Sequence, residues 1–349
     1  MKNYSFNFDQ ILELINTNKI SLSLGIKLFM LQQINAGVVS FKNINSIIKN
    51  TRRFPLNNFD FGIQYNPERI KRLALKKPLA GETYLSQTYI KRNFPNERGL
   101  PFKNYTIYPN LFPHLKFALN LVINDNQTPQ QITEQSLIDV LELVKKINDE
   151  NMKFFFNSRF AGFSVDHLHF QGFYEKNIAV EQAFLNLDKE KNCIYKKNNL
   201  SCYHLTNYTM PSIFVVESPV IEDAVSLTAN ILKLSNSDKS IALNDQSLFA
   251  YNILFMQKNG LFNVFIALRE KMGKDNYVIV EDLYKGKPGG CEAFDTVIYE
   301  KESDKEIFEK IIKDVSLAQK LFIKLGEEFA YKKFNEVKQI IRGCLKGEF

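Results

Sequence analysis

The sequence predicts an α+β fold in which antiparallel strands and helices alternate in both halves of the chain. Two segments carry most of this prediction. Residues 136–149 place their apolar side chains on one helical face, as an amphipathic helix does. Residues 249–270 contain two apolar runs separated by Asn259 and Gly260, a dipeptide typical of a tight β-hairpin turn. The halves share no exact sequence repeat, so their similarity lies in the order of their elements.

The first half begins with a predicted helical cap over residues 1–55, because FDQILELI and SLGIKLFMLQQI repeat apolar residues at helical intervals. Beyond it, short apolar runs are broken by Asn, Pro and Gly, which indicates strands and loops. NYTIYPNLFPHLKFALNLVI has the pattern of strand, turn and strand. MKFFFNS and HLHFQGFY predict two more strands, with the loop RFAGFSVD between them.

The second half predicts a helix over residues 218–234, the hairpin, and one long helix over residues 303–325. Ser303 and Glu306 have the spacing of a capping box at the start of that long helix. We therefore expect three parts: a helical N-terminal extension over residues 1–55, a first half over residues 56–200, and a second half over residues 201–349 that ends in helices.

Length and composition indicate a large globular protein. The 349 residues suit two packed domains or one duplicated fold, and 45% apolar residues supply a core. The formal net charge is +7, with 45 basic and 38 acidic residues. The lysines are scattered rather than gathered into a basic stripe, so nucleic acid is not an expected partner. The mild positive charge fits an anionic small substrate, and it fits a solvated surface equally well.

The four cysteines form no CxxC pair, and in a chain of this size they do not indicate a disulfide framework. The start, MKNYSFNFDQ, lacks the apolar stretch of a signal peptide, and no apolar run approaches the length of a membrane span. We therefore expect a cytoplasmic protein with no membrane partner.

The most informative stretch is NSRFAGFSVDHLHFQGF, residues 157–173. Alternate side chains of a strand point to opposite faces, so His167, His169 and Gln171 are predicted to line one face. Polar side chains that are buried together need hydrogen-bond partners, and a bound ligand is one natural partner.

Three interpretations compete for this polar row. The histidines could be incidental residues of a core strand, satisfied by the backbone. They could hold a metal, but zinc needs three or four protein ligands, and only His114 and His204 remain as further histidines. We therefore expect no metal and no cofactor. The third interpretation is catalysis at phosphorus, since a neutral imidazole is nucleophilic near neutral pH and can carry a nucleotidyl group.

Neighbouring residues suit that third interpretation. The backbone around Gly162 can approach phosphate oxygens closely. The side chains that could donate hydrogen bonds to a phosphoryl oxygen are those of Asn157, Ser158, Ser164 and Gln171. His167 can orient the nucleophile or share its proton.

NSRFAGFSVDHLHFQ resembles the signature of the histidine-triad superfamily: Asn, a Gly/Ser loop, then His-x-His-x-His or His-x-His-x-Gln. Gln in the last position is typical of the branch that contains galactose-1-phosphate uridylyltransferase, diadenosine tetraphosphate phosphorylase and the GDP-sugar phosphorylases. The resemblance implies that His169 is the nucleophile, that Gln171 holds the nucleotidyl phosphate and that His167 supports them. It also implies two histidine-triad-like halves, each an antiparallel sheet with packed helices.

A second segment, FGIQYNPERIKRLALKKP, is similar to a Gln-x-Asn-x-x-Arg segment of GDP-L-galactose phosphorylases, and more closely to a related bacterial family of unknown function. The likeness runs from about Phe61 to Val315 and is sharp at residues 157–171. It implies that Gln64, Asn66 and Arg69 reach the nucleotide or its phosphates. The alternative is a surface loop with a salt-bridged arginine.

Several features qualify the resemblance. Many relatives carry a CxxC zinc pair where this chain has GETYLSQTY, so no structural zinc is expected. Relatives often have a histidine near TPQ, where this chain has NDNQTPQQ. Arg159 replaces a small residue and could contact a phosphate or crowd the pocket. Farther along, Arg269 and Lys271 lie at the end of a hairpin strand. They could reach the phosphate of a second substrate, but solvated side chains are expected there, and GKPGGCE is interpreted as a turn.

Together these features predict a nucleotidyltransferase of the phosphorylase type. Its expected substrates are a nucleoside diphosphate sugar, with GDP-hexose as first choice, and phosphate, and its expected intermediate is nucleotidyl-His169. The alternatives are a dinucleoside polyphosphate phosphorylase and a nucleotide-binding sensor without activity. The sequence does not indicate an oligomeric state.

Overall fold

The computed structural model describes residues 7–115, 117–126, 128–236, 241, 243–244, 246–272, 278–286 and 288–346. The helices in chain order are α1 Phe8–Asn16, α2 Leu22–Asn35, α3 Phe41–Asn50, α4 Gln87–Asn93, α5 Glu134–Ile147, α6 Ala179–Leu185, α7 Lys189–Asn192, α8 Ile221–Lys233, α9 Gly290–Phe294, α10 Lys305–Ile311, α11 Val315–Phe329 and α12 Phe334–Lys346. Short 3-10 helices span Pro67–Ala74 and Glu302–Asp304.

The strands in chain order are β1 Thr51–Leu56, β2 Phe59–Tyr65, β3 Leu100–Phe102, β4 Tyr105–Pro109, β5 Leu119–Ile123, β6 Met152–Asn157, β7 His169–Tyr174, β8 Cys193–Lys197, β9 Leu200–His204, β10 Ile213–Ser218, β11 Ala250–Lys258, β12 Leu261–Arg269, β13 Val278–Val280, β14 Tyr284–Gly286 and β15 Thr296–Tyr299. Mixed helices and antiparallel strands confirm the predicted α+β class.

Ten strands form one antiparallel sheet in the order β3-β4-β5-β7-β6-β11-β12-β10-β9-β8. The first five, β3 to β7, lie between residues 100 and 174, and the last five, β8 to β12, lie between residues 193 and 269. The two sets meet where β6 pairs with β11, with Asn157 opposite Asn252. The sheet is therefore continuous across the middle of the chain, and the candidate site lies beside this seam.

A smaller sheet of order β1-β2-β15 contains strands from both halves, because β15 pairs in parallel with β2. Strand β15 belongs to the second half in sequence and β2 to the first. The boundaries proposed at residues 55 and 200 stay predictions.

Alternation along the central strands separates two apolar layers. Phe154, Phe156 and Phe170 point into the layer that contains the buried faces of α5 and α8. Phe155 and Phe173 point into the opposite layer, which contains α6 and α11. Every second residue of β6 enters the same layer. The Asn157 side chain therefore lies on the same side of the sheet as Phe155.

Local sequence signals account for most element ends. Helix α5 starts after Thr133, whose side chain accepts a hydrogen bond from the Ser136 N–H, and it ends at Asn148 in the left-handed region (φ 49°). The predicted hairpin is confirmed: Asn259 (φ 51°) and Gly260 (φ 77°) join β11 to β12.

The single long helix predicted over residues 303–325 is wrong. The chain forms α10 and α11 instead, and Asp314 starts the second by accepting a hydrogen bond from the Leu317 N–H. The predicted capping box is also wrong, because Ser303 lies inside a 3-10 turn and its hydroxyl donates to Asp304. A side chain that can cap a helix thus interrupts an otherwise helical pattern.

The described part of the N-terminal segment is helical up to Asn50, but residues 51–55, which the predicted helical cap included, belong to strand β1. Helices α1 and α2 begin after Asn7 and Ser21, which accept hydrogen bonds from N–H groups of the first turn. Lys27 of α2 forms an ion pair with Asp149 beyond the end of α5. None of the described helices has both the length and the apolar character needed to cross a lipid bilayer.

Candidate active site

The candidate site lies where β6 and β7 stop pairing. The two strands are in register from Met152 opposite Tyr174 to Phe155 opposite Gln171. Beyond that point β6 continues to Asn157, where it pairs with β11, and β7 begins at His169, which pairs with Val122 of β5. The strands therefore separate around Asn157 and His169.

The predicted strand position of His167 is wrong, because β7 starts two residues later and His167 lies in a bend. Its imidazole is nevertheless completely buried. Nε2 lies 3.0 Å from the Ile123 carbonyl oxygen, and Nδ1 lies 2.8 Å from the Thr83 hydroxyl. A carbonyl only accepts, so we assign the hydrogen to Nε2, and Nδ1 accepts from Thr83. Both ring nitrogens are thus committed to the protein.

His169 differs from His167 in having one uncommitted nitrogen. Its Nδ1 lies 2.7 Å from the His167 carbonyl oxygen, and because that oxygen only accepts, Nδ1 carries the hydrogen. Nε2 therefore holds a lone pair, and it makes no hydrogen bond to any residue that the structure describes. Backbone geometry alone thus selects the tautomer in which Nε2 can act as a nucleophile.

The electrostatic surroundings keep the His169 ring neutral. Only 4% of the residue is exposed. Burial lowers the pKa of His169 to about 4, and the hydrogen bond to the His167 carbonyl opposes this shift only in part. Burial also lowers the pKa of His167. Near neutral pH both rings are uncharged, as a nitrogen nucleophile requires.

Gln171 shares the His169 face of β7, as predicted for a strand. Directly opposite it on β5 is Asn120, and both side chains are half-buried. Neither side-chain amide makes a hydrogen bond to a described residue. Two amides on the same face of the sheet as the His169 ring offer donors for phosphoryl oxygens.

The loop after β6 is held by its own polar side chains. Asn157 Oδ1 accepts hydrogen bonds from Asn252 Nδ2 and the Gly290 N–H, both at 2.8 Å. Ser158 Oγ accepts from the Tyr251 N–H at 3.0 Å. Both side chains are buried, so the structure places them beneath the loop with protein partners. Ser164, in contrast, is exposed.

Gly162 is the point where this loop meets the second half of the chain. Its φ is +83°, and a Cβ at this position would lie 2.6 Å from the Pro288 carbonyl oxygen and 2.7 Å from Gly289 Cα. A glycine therefore allows both the backbone conformation and the close approach. The GKPGGCE segment, which was interpreted only as a turn, thus packs directly on the loop around Gly162. Its second glycine, Gly290, begins α9.

The expected solvated position of Arg269 is wrong, because this side chain is completely buried. Its guanidinium donates to Asn252 Oδ1 (2.7 Å) and to the Pro288 carbonyl oxygen (2.8 Å). Burial lowers the pKa of Arg269 to about 10, so the side chain stays charged near neutral pH. Arg269 and Asn252 connect the hairpin to both loops at the site, a role that no local pattern indicated.

Gln64, Asn66 and Arg69 come together around the loop between β4 and β5. Their side chains donate to the carbonyl oxygens of residues 114, 113 and 112 at 3.0, 3.0 and 3.2 Å, and Arg69 also forms an ion pair with Glu300. This loop joins β4 to β5 at the end of the sheet near Gly172. Within that loop the His114 ring lies 6.0 Å from the Phe155 ring, and Phe155 is the residue of β6 that pairs with Gln171.

Gln130 is a further residue of this site that no sequence pattern indicated. Its side chain is buried and fills the space between Asn157 and His169, where it bonds to the backbone of both. The TPQ segment was noted only for lacking a histidine. A residue that bonds through backbone atoms distant in sequence leaves no periodic signal.

Within the part of the chain that the structure describes, no group of three or more His, Cys, Asp or Glu side chains is placed to hold a metal ion. The described cysteines, Cys193, Cys202 and Cys291, are free thiols.

Residues 30–174 match a family model described as a domain of unknown function (DUF4922), and this range contains both histidines. A search of the curated proteins finds no significant match. Among solved structures, yeast Ap4A phosphorylase Apa2 superposes with a TM-score of 0.56 at 13% identity, over 88% of this chain and 96% of that one. Its complex with Ap4A gives a TM-score of 0.57 at 14% identity over the same shares.

The chain shares the fold of this yeast enzyme. The predicted α+β fold therefore has a solved counterpart that matches it over most of the chain. At this level of identity the likeness concerns architecture, and it covers nearly the whole length of both chains.

Proposed function

We propose that this protein is a nucleotidyltransferase of the phosphorylase type that works through a covalent nucleotidyl-His169 intermediate. The observation that carries the proposal is the state of the His169 ring. Its Nδ1 hydrogen is engaged by the His167 carbonyl, its Nε2 lone pair is open, and burial keeps it uncharged. These are the properties of a nitrogen nucleophile at neutral pH.

The reaction proceeds by two displacements at one phosphorus. In the first, His169 Nε2 attacks the α-phosphorus of the donor, an N–P bond forms, and the P–O bond to the leaving group breaks with its electron pair. In the second, an oxygen of inorganic phosphate attacks the same phosphorus and the electron pair of the N–P bond returns to Nε2. No proton has to leave or join the ring, and the charge that develops on it is stabilised by the bond from Nδ1–H to the His167 carbonyl.

Other residues have supporting roles in this proposal. Gln171 and Asn120 supply amide donors to the phosphoryl oxygens, and the Gly162 loop brings backbone close to them. His167 acts through its carbonyl, with its ring held by Thr83. We assign Gln64, Asn66 and Arg69 the indirect role of holding residues 112–114.

The proposed donor is a nucleoside diphosphate sugar, with GDP-hexose and phosphate as the first choice on the strength of the signature and of the segment around Gln64. We propose accordingly a role in nucleotide-sugar metabolism and a cytoplasmic location. A dinucleoside polyphosphate is the second candidate, and the fold likeness to an Ap4A phosphorylase favours it. A nucleotide-binding sensor without activity is the third candidate, and three departures from the family pattern motivate it: the missing CxxC pair, the missing histidine near TPQ, and Arg159. Of these, the Arg159 side chain is exposed, and its guanidinium lies 5.4 Å from the centre of the Phe160 ring.

The test is a panel of donors with phosphate present: GDP-, UDP-, ADP- and CDP-sugars and diadenosine tetraphosphate. Products are followed by chromatography, and the intact protein is weighed by mass spectrometry after mixing without phosphate. We expect one donor to be consumed and to leave one nucleotidyl group on the native protein. His169→Ala should lose both signals. His204→Ala is the matched control, because that ring bonds to Pro211 and Lys338 away from the site.

If every donor survives and no adduct forms while nucleotide still binds, the catalytic proposal fails and the sensor takes its place. If the donor is consumed equally by the His169→Ala protein, the assignment of the nucleophile is wrong.

A further inference from the structure

The place where β6 and β7 separate is occupied by one side-chain amide. The register of the two strands would set Asn157 opposite His169, but their pairing ends two residues earlier. The Gln130 amide lies between them. Its Oε1 accepts from the His169 N–H at 2.9 Å, and its Nε2 donates to the carbonyl oxygens of His169 (3.2 Å) and Asn157 (3.1 Å).

The amide group therefore does what a neighbouring strand would do. It bonds to both the N–H and the C=O of one residue, as a paired residue does in an antiparallel ladder. It also bridges to the strand on the other side. Because the His169 backbone presents one donor and one acceptor, the orientation of the amide is defined by its partners.

The segment before this side chain strengthens the arrangement. The Leu168 N–H donates to the Thr128 carbonyl at 3.0 Å, and the Gln130 N–H donates to Asp166 Oδ1 at 2.9 Å. Residues 128–130 thus bind residues 166–169 at several successive points. The side chain of Gln130 is 2% exposed, so water does not compete for these bonds.

These contacts bear on the direction of the His169 ring. The ring is joined to its backbone at Cα and is bonded at Nδ1 to the carbonyl two residues earlier. With the backbone held on both sides and Nδ1 bonded, the ring has one orientation, in which Nε2 is the nitrogen that makes no hydrogen bond to a described residue. We infer that Gln130 is the positioning residue of the nucleophile: it holds His169 in its tautomer and direction without touching the substrate. The inference rests on the role proposed for His169.

The chemistry of the side chain is specific. Alanine would leave one backbone N–H and two carbonyl oxygens without partners in a buried space, which water could then enter. Methionine would fill the same volume but bond to none of them. Both changes should free the His169 backbone, whereas neither removes an atom that can reach the substrate.

The experiment compares Gln130→Ala and Gln130→Met with Gln33→Ala in the full-length protein. Gln33 is a matched control, since it is also a fully buried glutamine and its Oε1 accepts from a backbone N–H, that of Arg98, at 3.1 Å. The readout is the nitrogen spectrum of selectively labelled histidines over a pH series, with His169→Asn to assign the signal. This readout does not depend on activity.

We expect the native protein and Gln33→Ala to show His169 as a single Nδ1–H tautomer that resists protonation in mild acid. In both Gln130 variants the signal should shift to a mixture of tautomers, and protonation should begin nearer the ordinary pKa of histidine. The rate of nucleotidyl adduct formation should fall by about 100-fold, the scale on which a small misplacement of a reacting group acts, while nucleotide affinity stays close to native.

The inference is overturned if both Gln130 variants keep the native tautomer and titration of His169, or if Gln33→Ala changes them as strongly. Thermal unfolding of each variant shows whether enough folded protein is present for the spectrum. If the native protein forms no adduct with any donor, the proposed function fails, yet the spectra still decide whether Gln130 positions His169.

Discussion

Acidification should destabilise the fold through His169 by an amount that can be worked out. The pKa of this imidazole falls from its ordinary value of 6.5 to about 4 on folding, chiefly through burial. The unfolded chain therefore binds a proton at this residue below about pH 6.5, whereas the folded chain does not until about pH 4. The stabilisation is fully present above pH 6.5 and is lost as the pH falls from there to about 4. From about pH 7.5 to about pH 5 the loss is about 2 kcal/mol.

The assay is urea unfolding of the native protein and of His169→Asn at these two pH values. Other groups also titrate, including His167 and His204, whose pKa values burial lowers too. They are common to both proteins, so the difference between the two pH dependences isolates His169. We expect the native protein to lose about 2 kcal/mol more than the variant.

An equal loss of stability in the two proteins would refute the reasoning. It would mean that the folded chain accepts a proton on His169 as easily as the unfolded chain does. The ring would then be neither desolvated nor held as a neutral tautomer. A greater loss in the variant would contradict the direction of the pKa shift.

Three further predictions concern the contacts around the site. In urea unfolding, Gly162→Ala should lower the free energy of unfolding by about 3 kcal/mol, and Gly260→Ala by about 1 kcal/mol. Both glycines have a positive φ, but only a side chain at residue 162 would meet backbone atoms. Equal losses would exclude the close contact. Arg269→Met should cost about 3 kcal/mol in the same assay, since two buried acceptors lose their donor, and a neutral effect would contradict this. Thr83→Val should lower the free energy of unfolding by about 1 kcal/mol and shift the nitrogen signal of His167, which loses a hydrogen bond. An unaltered His167 spectrum would contradict this contact.

The fold was predictable where one short segment decided the structure. The helix ending near Asn148 and the turn at Asn259 follow from side-chain spacing and turn chemistry, and both appear as expected. The long helix over residues 303–325 failed for a related reason. Its apolar spacing is helical throughout, but the capping preference of Asp314 divides it, and periodicity alone does not weigh the two effects.

The candidate site, like the fold, was predictable from the sequence only in part. Alternation along a strand places His169 and Gln171 on one face, and the structure agrees. Alternation also placed His167 in that row, but the chain bends there. The Leu168 N–H donates to the Thr128 carbonyl, and the His167 ring bonds to Thr83. Whether Gln64 reaches the site or a loop carbonyl depends on how two sheets pack, which spacing does not encode.

The sequence by itself determined the α+β class, the hairpin, the main helices and a buried histidine pair followed by Gln171. These features depend on neighbours within a few residues, whose side chains set periodicity and turn geometry. Only the tertiary structure decided that Nε2 of His169 is the open nitrogen, that Gln130 replaces a strand partner, and that Arg269 is buried beneath Pro288. Those outcomes depend on backbone carbonyls and amides, which every residue carries alike, so the sequence does not distinguish them until the chain has folded.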